Sequence, residues 1–343
     1  MSLGQEVEVG MVAKTAGKAG EQAAPSTWRS YPVIFILLLV AALFLPFTLK
    51  NFAIFQLTMV MIYAIAIMGL NLLTGFNGQF SLGHGAFFAI GAYTAAIMMD
   101  QYAVGFYWTL PAAAIVSFAF GVLFGLPALR LENIYLALAT FALAAVMPQL
   151  LKLTPLEHWT GGVQGIALLK PDAPLGLPLN QDQWLYFFTL AVAVLMYFVA
   201  RNIVISRTGR AITAIRDNPI AARSMGVNIS YYKTLIFGVS ALYTGVAGAL
   251  SAVVVQFVAP DSFTVSLSVA LLVGLVIGGV GWLPGAFIGG AFVLYVPNIA
   301  EEVSKGLSGA VYGVILLLVV YLMPSGAGAL WRAAQEHFSR RRK

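Results

Sequence analysis

The chain has 343 residues, 60% of them hydrophobic and only 9% charged, with no cysteine and a formal net charge of +6. Soluble domains carry about 25% charged residues, so a soluble globular fold is excluded, and the missing thiols exclude a disulfide framework and a thiolate metal site. The positive balance does not point to nucleic acid as a partner, because the basic residues sit in connecting segments and tails, where membrane topology places them.

Residues 1–30 are Gly/Ala-rich and polar, with Lys14, Lys18 and Arg29 and no apolar stretch of a cleavable signal; they read as a mobile cytoplasmic tail. After this tail, charge almost vanishes. Tyrosines aside, the only titratable side chain between Phe52 and Met99 is His84, and between Thr234 and Ala300 it is Asp261. A bilayer core excludes charge and takes about 20 apolar residues per helical span, so each of these runs must hold several spans. The expected fold is an all-α polytopic membrane protein, with the membrane domain over residues 31–325.

In chain order the apolar runs are Pro32–Leu49, Ala53–Leu73, Gly85–Met99, Trp108–Leu129, Ile134–Leu151, Trp184–Ile203, Leu235–Val258, Ser266–Val280, Gly285–Ile299 and Gly309–Met323. They predict about ten transmembrane helices. The third and ninth are short and Gly-rich, which suits broken or re-entrant helices. Segment Arg201–Lys233 carries six basic residues and one acid, and the tail at 326–343 carries Arg332, Arg340, Arg341, Arg342 and Lys343. Both belong on the cytoplasmic side. The more acidic segment Lys152–Gln183 suits the outer face, and the span count between these segments places both termini in the cytoplasm.

Asn77-Gly78 is a turn dipeptide, and Gly78, Gly83 and Gly85 argue against continuous helix before Ala86. Irregular backbone at membrane depth survives only in a protein interior or beside water. Asn77, Gln79, Ser81, Gly83, His84 and Gly85 are therefore candidates for a translocation pathway or gate. Alternatively, their polar groups are internal partners that hold a broken helix in place. Gly-Ala-Phe occurs at 85–87 and again at 285–287, and small residues recur at spacing four (Gly85 with Ala89, Gly285 with Gly289), a pattern of close helix packing.

The segment Lys152–Gln183 holds Gly161, Gly162 and Gly165, and reads either as an external docking face or as a solvated linker. Within 204–233, Thr208 is expected to cap a short helix ending near Asp217. Asn218-Pro219 then supplies a second N-cap and first-turn pair, with Gly226 as the stop. Two short helices meeting at a bend, with apolar faces flanked by Arg207, Arg210, Arg216 and Arg223, fit docking of a partner or contact with anionic lipid.

No span interior contains a carboxylate, which argues against ion coupling, and the chain has no G-x-x-x-x-G-K-[ST] loop of its own. If transport is driven, another subunit supplies the drive. No grouping of His84, His158 and His337 with acids suits an enzyme, so neither catalytic nor metal-binding residues are expected. A stand-alone carrier or channel for a small neutral solute is the alternative.

Ala221-Ala222-x-x-x-Gly226 resembles the coupling loop of ABC importer permeases, although Ile220 stands where that motif has Glu and its later Leu-Pro element is missing. The stretch Asn71–Ala96, Thr160–Ile166, the run Ala211–Gly248 and Gly278–Ala291 resemble the LivM-type permeases of branched-chain amino acid importers, over roughly residues 50–325. The resemblance implies a bacterial inner-membrane subunit, paired with a related LivH-type permease, two cytoplasmic ATP-binding subunits and an external solute-binding protein, with no cofactor of its own. It also implies that Arg216, Asn218, Pro219, Ala221, Ala222 and Gly226 form the coupling element gripped by the ATPase.

Overall fold

The computed structural model describes residues 32–128, 133–173, 179–303, 307–322 and 326–328. The expected tail over 1–30 and the basic residues Arg332, Arg340, Arg341, Arg342 and Lys343 lie outside them. Helix α1 (Pro32–Thr48) belongs to a first compact unit that ends at Lys50; the residues from Asn51 onward form a second.

In the second unit, α2 (Asn51–Leu70) runs without interruption into a π-helical turn, Asn71–Phe76. Then follow α3 (His84–Asp100), α4 (Phe106–Ala128), α5 (Asn133–Leu151) and the single turn α6 (Glu157–Thr160). After α7 (Gln181–Ile205) come two short helices, α8 (Arg207–Asp217) and α9 (Pro219–Ser224), and then the long α10 (Ile229–Val255). The chain continues through α11 (Val265–Gly278), α12 (Gly285–Val303) and α13 (Ser308–Leu322). Two-residue strands β1 (Ile166–Ala167) and β2 (Phe257–Val258) pair antiparallel, with Ile166 opposite Val258.

Every apolar run of the sequence coincides with a helix. Five helices are long and apolar enough to cross a bilayer: Asn51–Phe76, Phe106–Pro127, Ile134–Leu151, Gln181–Ile205 and Ile229–Val255. Shorter apolar helices accompany them at Leu39–Thr48, Val265–Gly278 and Gly309–Leu318. The protein is a multi-pass helical membrane protein. Sequence boundaries erred where glycine misled. Helix α3 starts at His84, so Gly85 lies inside the helix and not in the break.

Helices α2 and α10 are innermost. α10 packs on α4, α3 and α2, and α12 packs on α2 and α11. The close approach needs glycine: a Cβ at Gly248 would land on the Phe88 carbonyl oxygen, and one at Gly245 on the Ser117 side chain. By contrast α4 and α5 expose Trp108, Ile115, Leu123, Ile134 and Leu138, the outward apolar face of a lipid-embedded bundle.

Helix α7 separates two chemically distinct ends by roughly 37 Å, at 1.5 Å per residue. At its N-terminal end Lys170 pairs with Asp182 at 2.6 Å and Lys152 with Asp261 at 2.5 Å. There Gln101 Nε2 also donates to the His158 carbonyl at 2.6 Å, and Leu168 N to the Gln256 carbonyl at 2.8 Å. Segment 152–173 is thus folded onto the ends of α3, α5 and α10, and is no bare linker. At the other end α7 turns into α8, and there the arginines gather.

Candidate functional site: a broken helix and the arginine hairpin beneath it

The break begins where the π-helical turn ends. Asn77 closes the turn, and Gly78 reverses the chain with φ +74°, a conformation that suits glycine. The chain then doubles back on itself: Gln79 N donates to the Leu73 carbonyl at 3.1 Å, and Thr74 Oγ1 donates to the Gln79 carbonyl at 3.0 Å. The side chains also meet, with Asn77 Nδ2 donating to Gln79 Oε1 at 2.6 Å, while Asn77 Oδ1 is buried with no protein partner.

Four elements then hold the start of α3. Leu82 N donates to Thr140 Oγ1 of α5 at 2.9 Å, and Gly85 N donates to Ser268 Oγ of α11 at 2.8 Å. His84 Nε2 lies 2.7 Å from Ser240 Oγ of α10, and Ser240 Oγ donates to the Gly69 carbonyl of α2 at 2.7 Å. Since the serine hydrogen is spent on Gly69, the histidine must donate through Nε2. Its Nδ1 then accepts from Ser81 Oγ at 3.2 Å, and Ser81 Oγ in turn accepts from Gly83 N at 3.3 Å. One proton arrangement satisfies this whole chain, and it keeps the imidazole neutral. All of Asn77, Gln79, Ser81, Gly83, His84 and Gly85 are buried or nearly so, and Phe80 between them is 56% exposed.

A second break lies at 279–284, between α11 and α12, with Gly279 and Gly281 at φ +108° and +77°. The two Gly-Ala-Phe tripeptides thus occupy like positions, at the starts of helices that follow breaks. The π-helical turn that leads into the first break touches the second: Asn71 Oδ1 accepts from Gly281 N at 2.8 Å, and Asn71 Nδ2 donates to the Trp282 carbonyl at 3.0 Å.

Beneath the first break sits the arginine hairpin. Ser206, two residues earlier than the expected Thr208, caps α8 by accepting from Thr208 N at 3.1 Å; Thr208 is already inside the helix. Asn218 caps α9 by accepting from Ile220 N and Ala221 N at 3.1 and 3.0 Å, with Pro219 in the first turn. At the far end Gly226 takes φ +82°, Gly226 N donates to the Arg223 carbonyl and Val227 N to that of Ala222, both at 3.0 Å. This is a full Schellman stop. Ala211, Ile212 and Ile215 of α8 are buried. On α9, Ile220 is 80% exposed and Ala221 is exposed, as is Met225 at its C-cap (85%), whereas Ala222 is only 4% exposed.

Arg216 joins hairpin and break. Its Nη1 donates to the Gly75 carbonyl at 2.9 Å while Nε and Nη2 hold Asp217 Oδ1, each at 2.9 Å. Its stem covers Gly78, where a Cβ would sit 2.8 Å from Arg216 Cγ. Asn71, Gly75, Ser240 and Ser268 belong to this site and were not named as candidates, although the first three lie inside stretches that carry the family resemblance. The available signal was the presence of polar residues in otherwise apolar helices. Among the described residues, no three His, Asp or Glu side chains come together to hold a metal.

The family model for "Branched-chain amino acid transport system / permease component" matches residues 52–320, which includes both breaks and the hairpin. The chain belongs to this permease family. It is 33% identical over 312 residues to the high-affinity branched-chain amino acid transport system permease protein LivM of Salmonella typhimurium, covering 84% of this chain and 73% of that protein. LivM of Escherichia coli K12 gives 33% over 314 residues, 85% of this chain and 73% of that protein. The high-affinity branched-chain amino acid transport system permease protein LivH of Escherichia coli K12 is 25% identical over 292 residues, 77% of this chain and 90% of its own. No solved structure matches. This permease is a transport subunit of a membrane complex, not an enzyme.

Proposed function

We propose that the chain is the LivM-type half of an ATP-driven, binding-protein-dependent importer in a bacterial inner membrane. Its cargo is a branched-chain amino acid or a related small zwitterionic or neutral solute. Its partners are a LivH-type permease, two cytoplasmic ATP-binding subunits and an external solute-binding protein. The permease spans the bilayer about ten times over residues 31–325, with both termini and segment 204–233 in the cytoplasm and segment 152–183 outside. The likeness to LivM and LivH proteins supports the cargo and the partners. The arginine content of the α8 end against the paired acids of the opposite end supports the orientation.

The observation that carries the reading is the hairpin itself. A short helix, capped at both ends, presents Ile220, Ala221 and Met225 outward and is tied by Arg216 to the broken helix. This is the form of a helix set into a partner's groove. Asn218, Pro219 and Gly226 shape it, Ala222 seats it, and the break at Asn77–Gly83, with His84 and Gly85 at the start of α3, supplies the gate along the pathway. No carboxylate lies in the buried network, so a zwitterion would be met by amides, hydroxyls and backbone dipoles. The test is uptake of radiolabelled leucine into vesicles holding the complex. Uptake should need the binding protein outside and ATP on the hairpin side. Equal leucine uptake by the permease alone would establish a stand-alone carrier and overturn the proposal.

A further inference from the structure

We propose that Arg216, Gly75 and Asn71 form a latch that carries movement of the α8–α9 hairpin to both helix breaks at once. This rests on the reading that the hairpin receives the ATP-binding subunit. The Gly75 peptide is held from two directions. Its carbonyl, near the end of the π-helical turn where unsatisfied carbonyls gather negative charge, accepts from Arg216 Nη1 at 2.9 Å. On its other side a Cβ would meet the Asn71 carboxamide oxygen and lie 2.6 Å from Gly281 N. The Asn71 carboxamide accepts from Gly281 and donates to Trp282, acting as a peptide unit inserted between the two breaks.

The geometry leaves little slack. Asp217 fixes the other side of the guanidinium, so its fork moves with the end of α8. Gly78 lies under the arginine stem with no side chain to act as a cushion. A displacement of α8 must therefore shift the Gly75 carbonyl or break the bond to it. A shift of Gly75 must in turn move loop 279–284 or open the Asn71 clasp. The element between them is a π-helical turn, whose hydrogen bonds run from i to i+5. Such turns are rare and occur frequently at functional sites. Asn71 and Arg216 are thus positioning residues: neither needs to touch cargo, and both set where the break at Asn77–Gly83 stands.

The test uses the whole reconstituted complex with Arg216→Met, Asn71→Ala and the double variant. Arg216→Met keeps a stem over Gly78 and removes the fork. ATP hydrolysed per leucine imported should rise about tenfold in each single variant, the scale of a lost hydrogen bond to a charged donor for Arg216→Met and of two lost neutral ones for Asn71→Ala, with the ATP-binding subunits retained. The double variant should be no worse than the worse single one, since both interrupt the same connection. Additive defects, an unchanged ratio, or loss of the ATP-binding subunits from the Arg216→Met complex would each overturn the latch. Movement is read separately, and without cargo, from maleimide labelling of Phe80→Cys in this cysteine-free chain. ATP with vanadate should change the labelling rate when Arg216 is present and leave it unchanged in Arg216→Met. A complex that shows this labelling pattern but imports no leucine would refute the cargo assignment and keep the latch. Leucine import with the same labelling response in both backgrounds would refute the latch and keep the assignment.

Discussion

Arg216 and Gly75 lie 141 residues apart in the chain, yet the guanidinium of one donates to the carbonyl of the other at 2.9 Å. This single bond joins the surface hairpin to the irregular segment inside the bundle. It explains why an arginine follows buried Ile212 and Ile215 at the end of α8, and why the residue beneath its stem is Gly78. A surface arginine serving only anionic lipid would leave its fork in water.

Gly78 should tolerate no side chain. A Cβ there would carry a left-handed backbone cost of about 1–2 kcal/mol and also lie 2.8 Å from Arg216 Cγ. Gly78→Ala should therefore insert normally and show impaired leucine uptake in vesicles, with Gly78→Val worse. Full uptake by both would show that the hairpin need not sit against the break.

Docking on α9 is best probed at its exposed residues. Ala222 is buried, so a bulky replacement there would displace α9 whether it meets a protein or lipid. Ile220→Asp and Met225→Asp should strip the ATP-binding subunits from the purified complex, with loss of about 1–3 kcal/mol per desolvated apolar anchor. A lipid-surface hairpin would instead weaken in proportion to the charge removed at Arg207, Arg210 and Arg223. Retention of the subunits by Ile220→Asp/Met225→Asp would count against docking through α9.

The helices were legible because charge exclusion is a strong, local signal: the runs ending near Leu151 and Ile203 are helices ending at Leu151 and Ile205. The hairpin was legible because caps are local too, as Asn218-Pro219 and Gly226 show. Contacts between distant segments were not. Nothing near Asn71 announces Gly281, and nothing near His84 announces Ser240, because these pairs depend on how α2, α3, α10 and the second break come together. Thr208 looked like a cap because a Thr before an apolar run is a cap signal; Ser206 takes the role since the α7 helix ends at Ile205 and leaves that residue extended. The turn at Asn77-Gly78 was visible, but the π-helical turn before it was not: the apolar run ends at Leu73, and nothing in Asn71–Phe76 tells a π-helical turn from an α-helical one.

Orientation has a clean test, since the chain has no cysteine to remove. Ser224→Cys and Val163→Cys place thiols at exposed positions on opposite ends of the bundle. In intact cells an impermeant maleimide should label Cys at 163 and not at 224, and should reach 224 only after permeabilisation. The reverse pattern would invert the proposed topology, and with it the side on which the ATP-binding subunits sit.

The last prediction concerns His84, which is buried with both ring nitrogens engaged. A His84→Ala chain loses the ring's packing and leaves Ser81 and Ser240 without their partner. Core truncations cost about 2–5 kcal/mol, and an orphaned buried polar group adds about 1–3 kcal/mol. The variant should therefore melt well below the wild type in detergent. Ser240→Ala should also be destabilising, because it strands the Nε2 hydrogen and removes the hydroxyl's bond to the Gly69 carbonyl. The two losses should not add in the double variant, since they remove members of one chain of hydrogen bonds. His84→Asn probes position against packing: its amide is shorter and cannot reach Ser81 and Ser240 together, so stability should recover only in part. If His84 also lies on the transport path, uptake per folded complex will fall further than the melting temperature accounts for. Uptake that tracks the folded fraction alone across His84→Ala, His84→Asn and Ser240→Ala would assign the histidine to holding the broken helix and remove it from the gate.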